Sequence, residues 1–572
     1  MRLKVSKSKN AASLYVIKSI YNSKTQSNSS VIVEKLGTEA ELREKLNGQD
    51  PYEWAKAYIA ELNEKEKEEN SKVMVQYSPT KLIPKDKQRS FNGGYLFLQS
   101  IYHDLKLHNI CKDISNRHKF TFNLDSVLSR LVYGRIIFPS SKLATYDLSS
   151  RFIEQPDFDI QHVYRALDVI SKETDFIQSE LYKNSLNISK RNTGVLYYDC
   201  TNYFFEIEEE SGLREYGHSK DHKPNPIVQM GLFMDGDGIP LAFDIHSGRT
   251  NEQKTLKPLE KRILSDFKLS RFVVCTDAGL SSIENRKFND MGSRAFITTQ
   301  SVKMLKGHLK EWALDPKGWM YGDSGKTYDI SMLDEEKDYS KTFYKERWIH
   351  ENGLEQRLIV TFSLKYRNYK MQIRENQIQR AVDVIEKNPA KIKKSGSNDF
   401  KRFIEKTNVT TDGEVAEKEL FSINKTLISK EAMYDGFYAV CTNLEDEISD
   451  IISVNHRRWE IEECFKIMKS EFKSRPVYLS RDERIKAHFT TCFLSLVVYR
   501  YLEKALDGKF TTCEIIKGLR DMNFYEIPGE GLIPTYERND FTDALHDTFG
   551  FRTDYQILKL KQIKNILRIT KN

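Results

Sequence analysis

Two aspartates close short runs rich in apolar, aromatic and β-branched residues: Asp199 in LYYDCTN and Asp277 in VVCTDAG. Such runs read as buried strands, and a carboxylate at a strand end faces a cleft where ligands often sit. Far downstream, HRRWEIEECFKIMKSEFKSR holds neither Gly nor Pro and reads as one long helix. At about 100° per residue, Ile461, Phe465, Met468 and Phe472 share one stripe, and Arg458, Glu462, Lys469 and Lys473 share the neighbouring one. One face would pack inward while the other presents an acid flanked by bases. Carboxylates gathered in a cleft repel one another unless cations join them, and hard oxygen ligands select Mg²⁺ or Mn²⁺. Two such ions about 3.5–4 Å apart can clamp the attacking and leaving oxygens of an in-line phosphodiester displacement. Neighbouring Arg and Lys side chains would hold phosphates through charge-assisted contacts. Each group also has a plainer reading. A strand-end Asp caps the next turn, and Arg458–Glu462 and Glu462–Lys466 are i,i+4 pairs of a solvated helix.

The elements that must position these groups are partly legible. ASLYVIKSIYNSKTQSNSSVIVEKLG reads as a hairpin, followed by helix broken near Gly48 to Pro51 and a Glu/Lys-rich linker to about Lys72. Residues 92–190 carry helical periodicity. From Gly194 the pattern turns to strand: GVLYYDCTNYFFE, then two strands joined by Asp-Gly-Asp-Gly, a strong hairpin turn. Helix, the strand ending at Asp277, helix and the strand AFITTQ follow, which together make a mixed α/β unit. Residues 304–435 break that rhythm with strand-like pieces, a helix and a basic loop at 387–402, and read as an insertion. GFYAVCTN resumes a buried strand before the Glu462 helix. The expected divisions are 1–75 (hairpin, helix and linker), 76–190 (helical DNA-binding region), 191–303 and 436–510 (two parts of one α/β core), 304–435 (β-rich insertion) and 511–572 (C-terminal region).

A chain of 572 residues with 39% hydrophobic residues can bury several cores. Its net charge of +7 is compatible with a local basic face without proving one. The seven cysteines are scattered with no CxxC pair, which argues against a disulfide framework or a structural zinc. The N-terminus lacks the apolar core of a signal peptide, and FLSLVVYRYL is too short to span a bilayer. These features predict a soluble intracellular protein. GHSKDHKPN places His218, Lys220, His222 and Lys223 in a loop that would either approach a phosphate or the metal site, or simply be solvated.

At this point the residues resemble a family: bacterial insertion-sequence transposases that carry an Asp-Asp-Glu triad on a ribonuclease-H-like fold. The closer likeness is to the superfamily numbered four and, within it, the branch numbered sixteen thirty-four. That superfamily carries Tyr-x2-Arg-x3-Glu-x6-Lys around its Glu; Arg458, Glu462 and Lys469 match the spacing, and Asn455 stands at the Tyr position. YYDCTNYFFE, YGHSKDHKPNPIVQMGLFMDGDGIPLAFDIHSGRT and SRPVYLSRDERIKAHFTTCFLSLVVYRYLE extend the resemblance, with Asn225 and Arg249 where Asp and Asn are expected. The resemblance implies Asp199, Asp277 and Glu462 as catalytic ligands of Mg²⁺ or Mn²⁺, as two ions. It implies cleavage at transposon ends by water and attack of the freed 3′-hydroxyl on target DNA. Partners would be terminal inverted repeats, target DNA and a second copy in a homodimeric synaptic complex, in a bacterial cytoplasm at the nucleoid. Arg458, Lys469, Lys473, Lys220 and Lys223 become candidate DNA contacts. Trp312, Trp319 and Trp348 become candidates for stacking on a flipped base, each with ordinary packing as the alternative. The rival readings are a catalytically silent DNA-binding derivative and a nuclease that only hydrolyses.

Overall fold

The computed structural model describes all residues except 9–10, 23–26, 47, 70–72, 76, 323–324, 388–398 and 410–417. The chain forms two compact units, one of Met1–Gln88 with Ile527–Glu530 and one of Arg89–Glu526 with Gly531–Asn572.

In the first unit, β1 (Arg2–Lys7), β2 (Ala12–Asn22) and β3 (Ser27–Thr38) make an antiparallel sheet, so the expected hairpin gains a third strand. α1 (Glu39–Lys45) starts at a Thr38/Glu41 capping box, the reciprocal pairing that satisfies two orphan donors. α2 (Pro51–Glu69) runs through most of the stretch expected to be linker, because its Glu/Lys content favours helix as well as solvation.

In the second unit, β4 (Ser90–Asn92) precedes α3 (Tyr95–Asp104), α4 (Leu107–Arg117), α5 (Leu124–Ile137), α6 (Lys142–Ser149), α7 (Ile160–Lys172) and α8 (Thr174–Ser185), the expected helical run. The α/β part follows as β5 (Val195–Phe204), β6 (Ile227–Asp235), β7 (Pro240–Ser247), α9 (Leu256–Asp266), β8 (Val273–Thr276), α10 (Ile283–Asn289) and β9 (Ala295–Gln300). Residues 304–435 add α11 (Gly307–Leu314), β10 (Trp319–Met320), β11 (Thr327–Tyr328), β12 (Phe343–Glu351), β13 (Leu354–Phe362), α12 (Leu364–Lys387), β14 (Ile404–Val409), β15 (Lys418–Ile423) and α13 (Lys425–Ala432). Then come β16 (Phe437–Thr442), α14 (Ile448–His456), α15 (Trp459–Lys466), α16 (Asp482–Ala505), α17 (Thr512–Asp521), β17 (Asn523–Ile527), β18 (Gly531–Pro534), α18 (Asp540–Phe549) and α19 (Leu560–Ile569).

One mixed sheet of ten strands runs in the order β11-β10-β12-β13-β16-β9-β8-β5-β6-β7. β5, β6 and β7 pair antiparallel, whereas β8 runs parallel to β5 and β9 parallel to β8. The strands of 304–435 therefore continue the sheet, since β13 pairs with β16 and β16 with β9. Alternation along β5 sends Leu196, Tyr198 and Cys200 into a cluster with Leu256, Leu259 and Ile263 of α9, and Tyr197 and Tyr203 into the main core. α16 lies in that main core, with every residue from Ala487 to Leu502 buried. Among the described residues no helix is long and apolar enough to cross a membrane.

Candidate active site

The parallel register of β5 and β8 puts Val195 beside Val273, Leu196 beside Val274 and Tyr197 beside Cys275. Two residues further, the same register sets Asp199 opposite Asp277, the residue that follows the last residue of β8; Asp199, expected at a strand end, instead lies midway along β5, because the aromatic and β-branched run continues the strand to Phe204. Neighbouring strands lie about 4.8 Å apart, so both carboxylates leave the sheet side by side, on the face that carries Tyr197. Burial and then the negative charge of Asp277 push the Asp199 carboxyl up to about 7, against the pull of Lys220 and Arg458. Asp199 Oδ1 accepts the Cys200 N–H at 2.7 Å. Asp277 Oδ1 accepts the Leu280 N–H at 3.1 Å and caps a short 3₁₀ turn, Ala278–Leu280. The capping role expected of a strand-end Asp is therefore real for Asp277, and it occupies one oxygen only.

The long helix expected from His456 onward is α15 followed by a π turn, and α14 ends at His456. The buried residues of α14, Ile448 and Ile451, and those of α15, Ile461 and Phe465, define stripes offset by about 100° on one continuous helix. The break at Arg457 and Arg458 lets both face inward. Ile461, Phe465, Met468 and Phe472 are all buried, as their spacing predicts. After α15 the chain forms a π turn over Ile467–Glu471, in which Phe472 N–H donates to Ile467 O at 3.0 Å. Such turns are rare and recur at functional sites.

Arg458 stands at the start of α15, and its guanidinium lies 3.1 Å from Glu462 Oε1. Burial works against its charge, while Glu462, Tyr438, Asp277 and Asp199 together hold its pKa above the ordinary value. One guanidinium is thus a shared counter-charge for all three acids. Glu462 is more than half exposed, and the three carboxylates do not all lie within 4.8 Å of one another. Among the described residues the group of acids and histidines that does is Asp543, His546 and Asp554. There Arg552 donates to Asp543 and Asp554 at 2.9 and 2.7 Å, and Arg538 donates to Asp543 at 2.7 Å. That cluster is an ion-pair network already neutralised by arginine.

The bases fall into two sets. Lys469 Nζ donates to Thr201 Oγ1 at 2.7 Å and sits over the Tyr203 ring, two residues along β5 from Asp199 on the same face. Burial lowers its pKa to about 8. Lys220 reaches the carbonyl of Cys200 and pairs with Glu252 at 3.0 Å. Burial opposes its charge, but Glu252 and Asp199 raise its pKa. Buried Asn202 fixes that loop, donating to His218 O at 2.9 Å and accepting Lys220 N–H at 3.1 Å. Lys223 is exposed beside the Phe204 ring, and His218 and His222 are exposed. Lys473 leaves the expected stripe. The π turn shifts the phase, and Lys473 adopts φ +46° just beyond the helical segment. Arg249 pairs with Glu210 at the surface.

Asn455 donates to the Tyr438 hydroxyl at 2.8 Å, and that hydroxyl lies 2.8 Å from Thr299 Oγ1. Tyr438 arrives on β16 and no local sequence signal marks it. Beside it a cavity of about 590 Å³ opens, lined by Ala278, Lys303, Lys370, Arg374 and Tyr438. These bases lie in elements that sequence spacing does not relate to the acids. Of the tryptophans, Trp319 is fully buried, with its Nε1–H donated to Asp315 O at 2.9 Å, and offers no ring face. Trp312 is half-buried under the Arg347 guanidinium, and Trp348 is exposed. Most of the basic loop expected at 387–402 lies outside the described residues.

No curated protein sequence matches the chain. A cryo-EM structure of a piggyBac transposase synaptic complex with hairpin DNA aligns over 84% of each chain at 10% identity, with a TM-score of 0.36, a likeness below that of a shared fold. The family model described as the transposase DDE domain matches residues 204–498, which include Asp277 and Glu462 and begin just after Asp199. With about half of its length so matched, the chain belongs to the transposase DDE domain family.

Proposed function

We propose that this protein is a DNA transposase that cuts DNA at the ends of an insertion sequence and joins the freed 3′-hydroxyl to target DNA. The observation that carries the reading is the pairing of Asp199, midway along β5, with Asp277, just past the end of the neighbouring β8, with Glu462 tied to them through Arg458. The donor set fits a hard divalent cation. It is all carboxylate, Asp199 is held up to about 7 by burial and then by its neighbour's charge, and among the described residues each of the two aspartates has an oxygen that accepts no hydrogen bond. Asp199, Asp277 and Glu462 would hold Mg²⁺ or Mn²⁺, as two ions. Bound there, the ions would polarise the scissile phosphate and lower the pKa of the attacking water or hydroxyl.

The chain's own residues do the rest. Glu462 is more than half exposed, and with the three acids holding cations it would give up its pairing with Arg458. Arg458, so released, turns to a phosphate, the ligand for which its planar fork is built. Lys469 and Lys220 flank Asp199 and hold the strand to be cut, while Lys303 and Lys370 line a cavity for the neighbouring backbone, in which Arg374 is already paired with Asp435. In the first step water oxygen forms a bond to phosphorus, the bond to the 3′-oxygen breaks, and that oxygen leaves as the 3′-hydroxyl. In the second step the hydroxyl attacks a target phosphodiester and displaces its 3′-oxygen. The order β9-β8-β5-β6-β7, an antiparallel meander followed by parallel strands, supports a ribonuclease-H-like core, with 304–435 inserted between the second Asp and the Glu. Two copies would pair the two ends.

The test uses the full chain and duplexes carrying the DNA that flanks its coding region. Glu462→Gln should bind those ends like the wild type and cut them in Mg²⁺ about 10²–10³-fold more slowly or worse. Wild-type cutting by that variant would overturn the role of Glu462. Supplying pre-cut ends separates a transposase, which joins them, from a nuclease, which does not.

A further inference from the structure

A second gathering of cations lies where α5, α6, α7, α16 and the segment 473–479 meet. A cavity of about 360 Å³ opens there, a volume that suits a small ligand. Arg135, Lys142, Lys473 and Arg475 line it, and no carboxylate does. Lys142 is 6% exposed, and among the described residues no group accepts a hydrogen bond from its ammonium. Arg135 spends its terminal nitrogens on two neutral carbonyls, Phe472 O at 3.0 Å and Ser140 O at 3.2 Å, and its Nε is buried without a partner. Lys473 is exposed and, among the described residues, has no ion-pair partner. Arg475 alone is neutralised, by Asp221.

The other titratable groups facing the cavity add no compensating charge. His488 gives one nitrogen to Ser474 O at 3.2 Å, and burial drives its pKa well below the ordinary value, so it is neutral. Burial raises the Cys492 thiol, so it too is neutral. Tyr164 belongs to the wall and carries the Arg484 guanidinium over its ring. Leu143 and Tyr478 stand exposed at the rim.

A buried ammonium with no acceptor is costly, and folded proteins pair such groups. An anion with several oxygens would satisfy Lys142 and the buried edge of Arg135 together, through charge-assisted bonds. The exposed ring of Tyr478 beside it would suit a sugar or base attached to that anion. We propose that this cavity seats a phosphate group of a DNA strand, with Lys142 and Arg135 as its floor and Lys473 at its mouth. The cavity is a separate site from the one formed by the three acids. Burial and the charge of Arg135 lower the pKa of Lys142 to about 7, so a seated anion would restore its proton. The identity of the ligand as DNA rests on the transposase reading; the demand for an anion does not.

The test compares the full-length wild type with Lys142→Met and with Lys473→Met, a surface change that leaves the core intact. Inorganic phosphate, against chloride at equal ionic strength, should raise the unfolding temperature of the wild type. Lys142→Met should unfold at or above the wild-type temperature in chloride and lose the response to phosphate, and Lys473→Met should blunt it. For a labelled single-stranded oligonucleotide of arbitrary sequence, each variant should bind more weakly. Each should also lower the magnitude of the slope of log affinity against log salt by about 0.7. An equal phosphate response in all three proteins would overturn the site. A lost phosphate response with unchanged oligonucleotide binding would overturn DNA as its ligand. Either result leaves the Glu462→Gln cutting assay to judge the transposase reading independently.

Discussion

Asp199 carries the sharpest consequence of the site's electrostatics. Its carboxyl is raised from 3.8 to about 7, first by burial and then by Asp277. Between those values the folded chain keeps a proton that the unfolded chain has released. The stability this contributes is fully present below about pH 4 and is lost as pH rises through about 7. Asp199→Asn is neutral throughout and can still accept the Cys200 N–H. Without divalent metal, the variant should therefore match the wild type near pH 4 and exceed it at pH 8. The full shift corresponds to about 4 kcal/mol, and partial exposure reduces the expected gain to ~1–2 kcal/mol. Urea unfolding in chelator at the two pH values reads it. A variant less stable than the wild type at pH 8 would mean that the two aspartates do not repel. The same variant should be inactive in cutting, so the site trades stability for ligand charge.

Among the elements, the strand β5 organises most of the site. One face carries Asp199, Thr201 and Tyr203, the residues that meet Asp277 and Lys469, while Asn202 on the other face anchors the Lys220 loop through both ends of its amide. Asn202→Ala removes two part-buried hydrogen bonds and should cost about 1–3 kcal/mol, concentrated in residues 216–224. Hydrogen exchange should rise in that loop and remain unchanged in β6 and β7, with weakened end cutting. Uniform loss of protection across the sheet would show that Asn202 supports the sheet and not the loop. The strand character of β5 and β8 was readable in the sequence, because both runs are rich in apolar, aromatic and β-branched residues. Their register was not, and it is the register that pairs Asp199 with Asp277. The buried stripe of Ile461, Phe465, Met468 and Phe472 was readable from its helical period. The offset between α14 and α15 and the π turn were not, since helical propensity is blind to the phase at which two helices meet a sheet. Asn455 was visible as a departure from a signature. Its partner Tyr438 was invisible, because it comes from a strand with no local relation to the acids.

At the scale of the molecule, residues 304–435 read in sequence as an interruption, yet in the fold they complete the sheet. β13 pairs with β16 over six registered positions, from Arg357 opposite Thr442 to Phe362 opposite Phe437. Its alternate residues serve both faces. Leu358 and Val360 pack with Phe296, Ala439 and Cys441 in one core, and Ile359 packs with Ile297 and Val440 in the other. Replacing 304–435 by a short flexible linker would strip β16 of its partner and expose an unpaired, apolar edge beside the acids. Such edges template aggregation, and the buried side chains left facing water would each forfeit about 1.5–3 kcal/mol. The deleted chain should therefore be aggregated or lack a cooperative thermal transition, although all three acids remain in it. Sedimentation and far-ultraviolet circular dichroism of the deletion protein test this. A monomer that unfolds cooperatively at the wild-type temperature would show instead that the segment is an appendage. The physical basis of the expectation is that Arg458 can link Glu462 to Asp199 and Asp277 only because β16 fixes where α14 and α15 begin, and β16 is held from both sides.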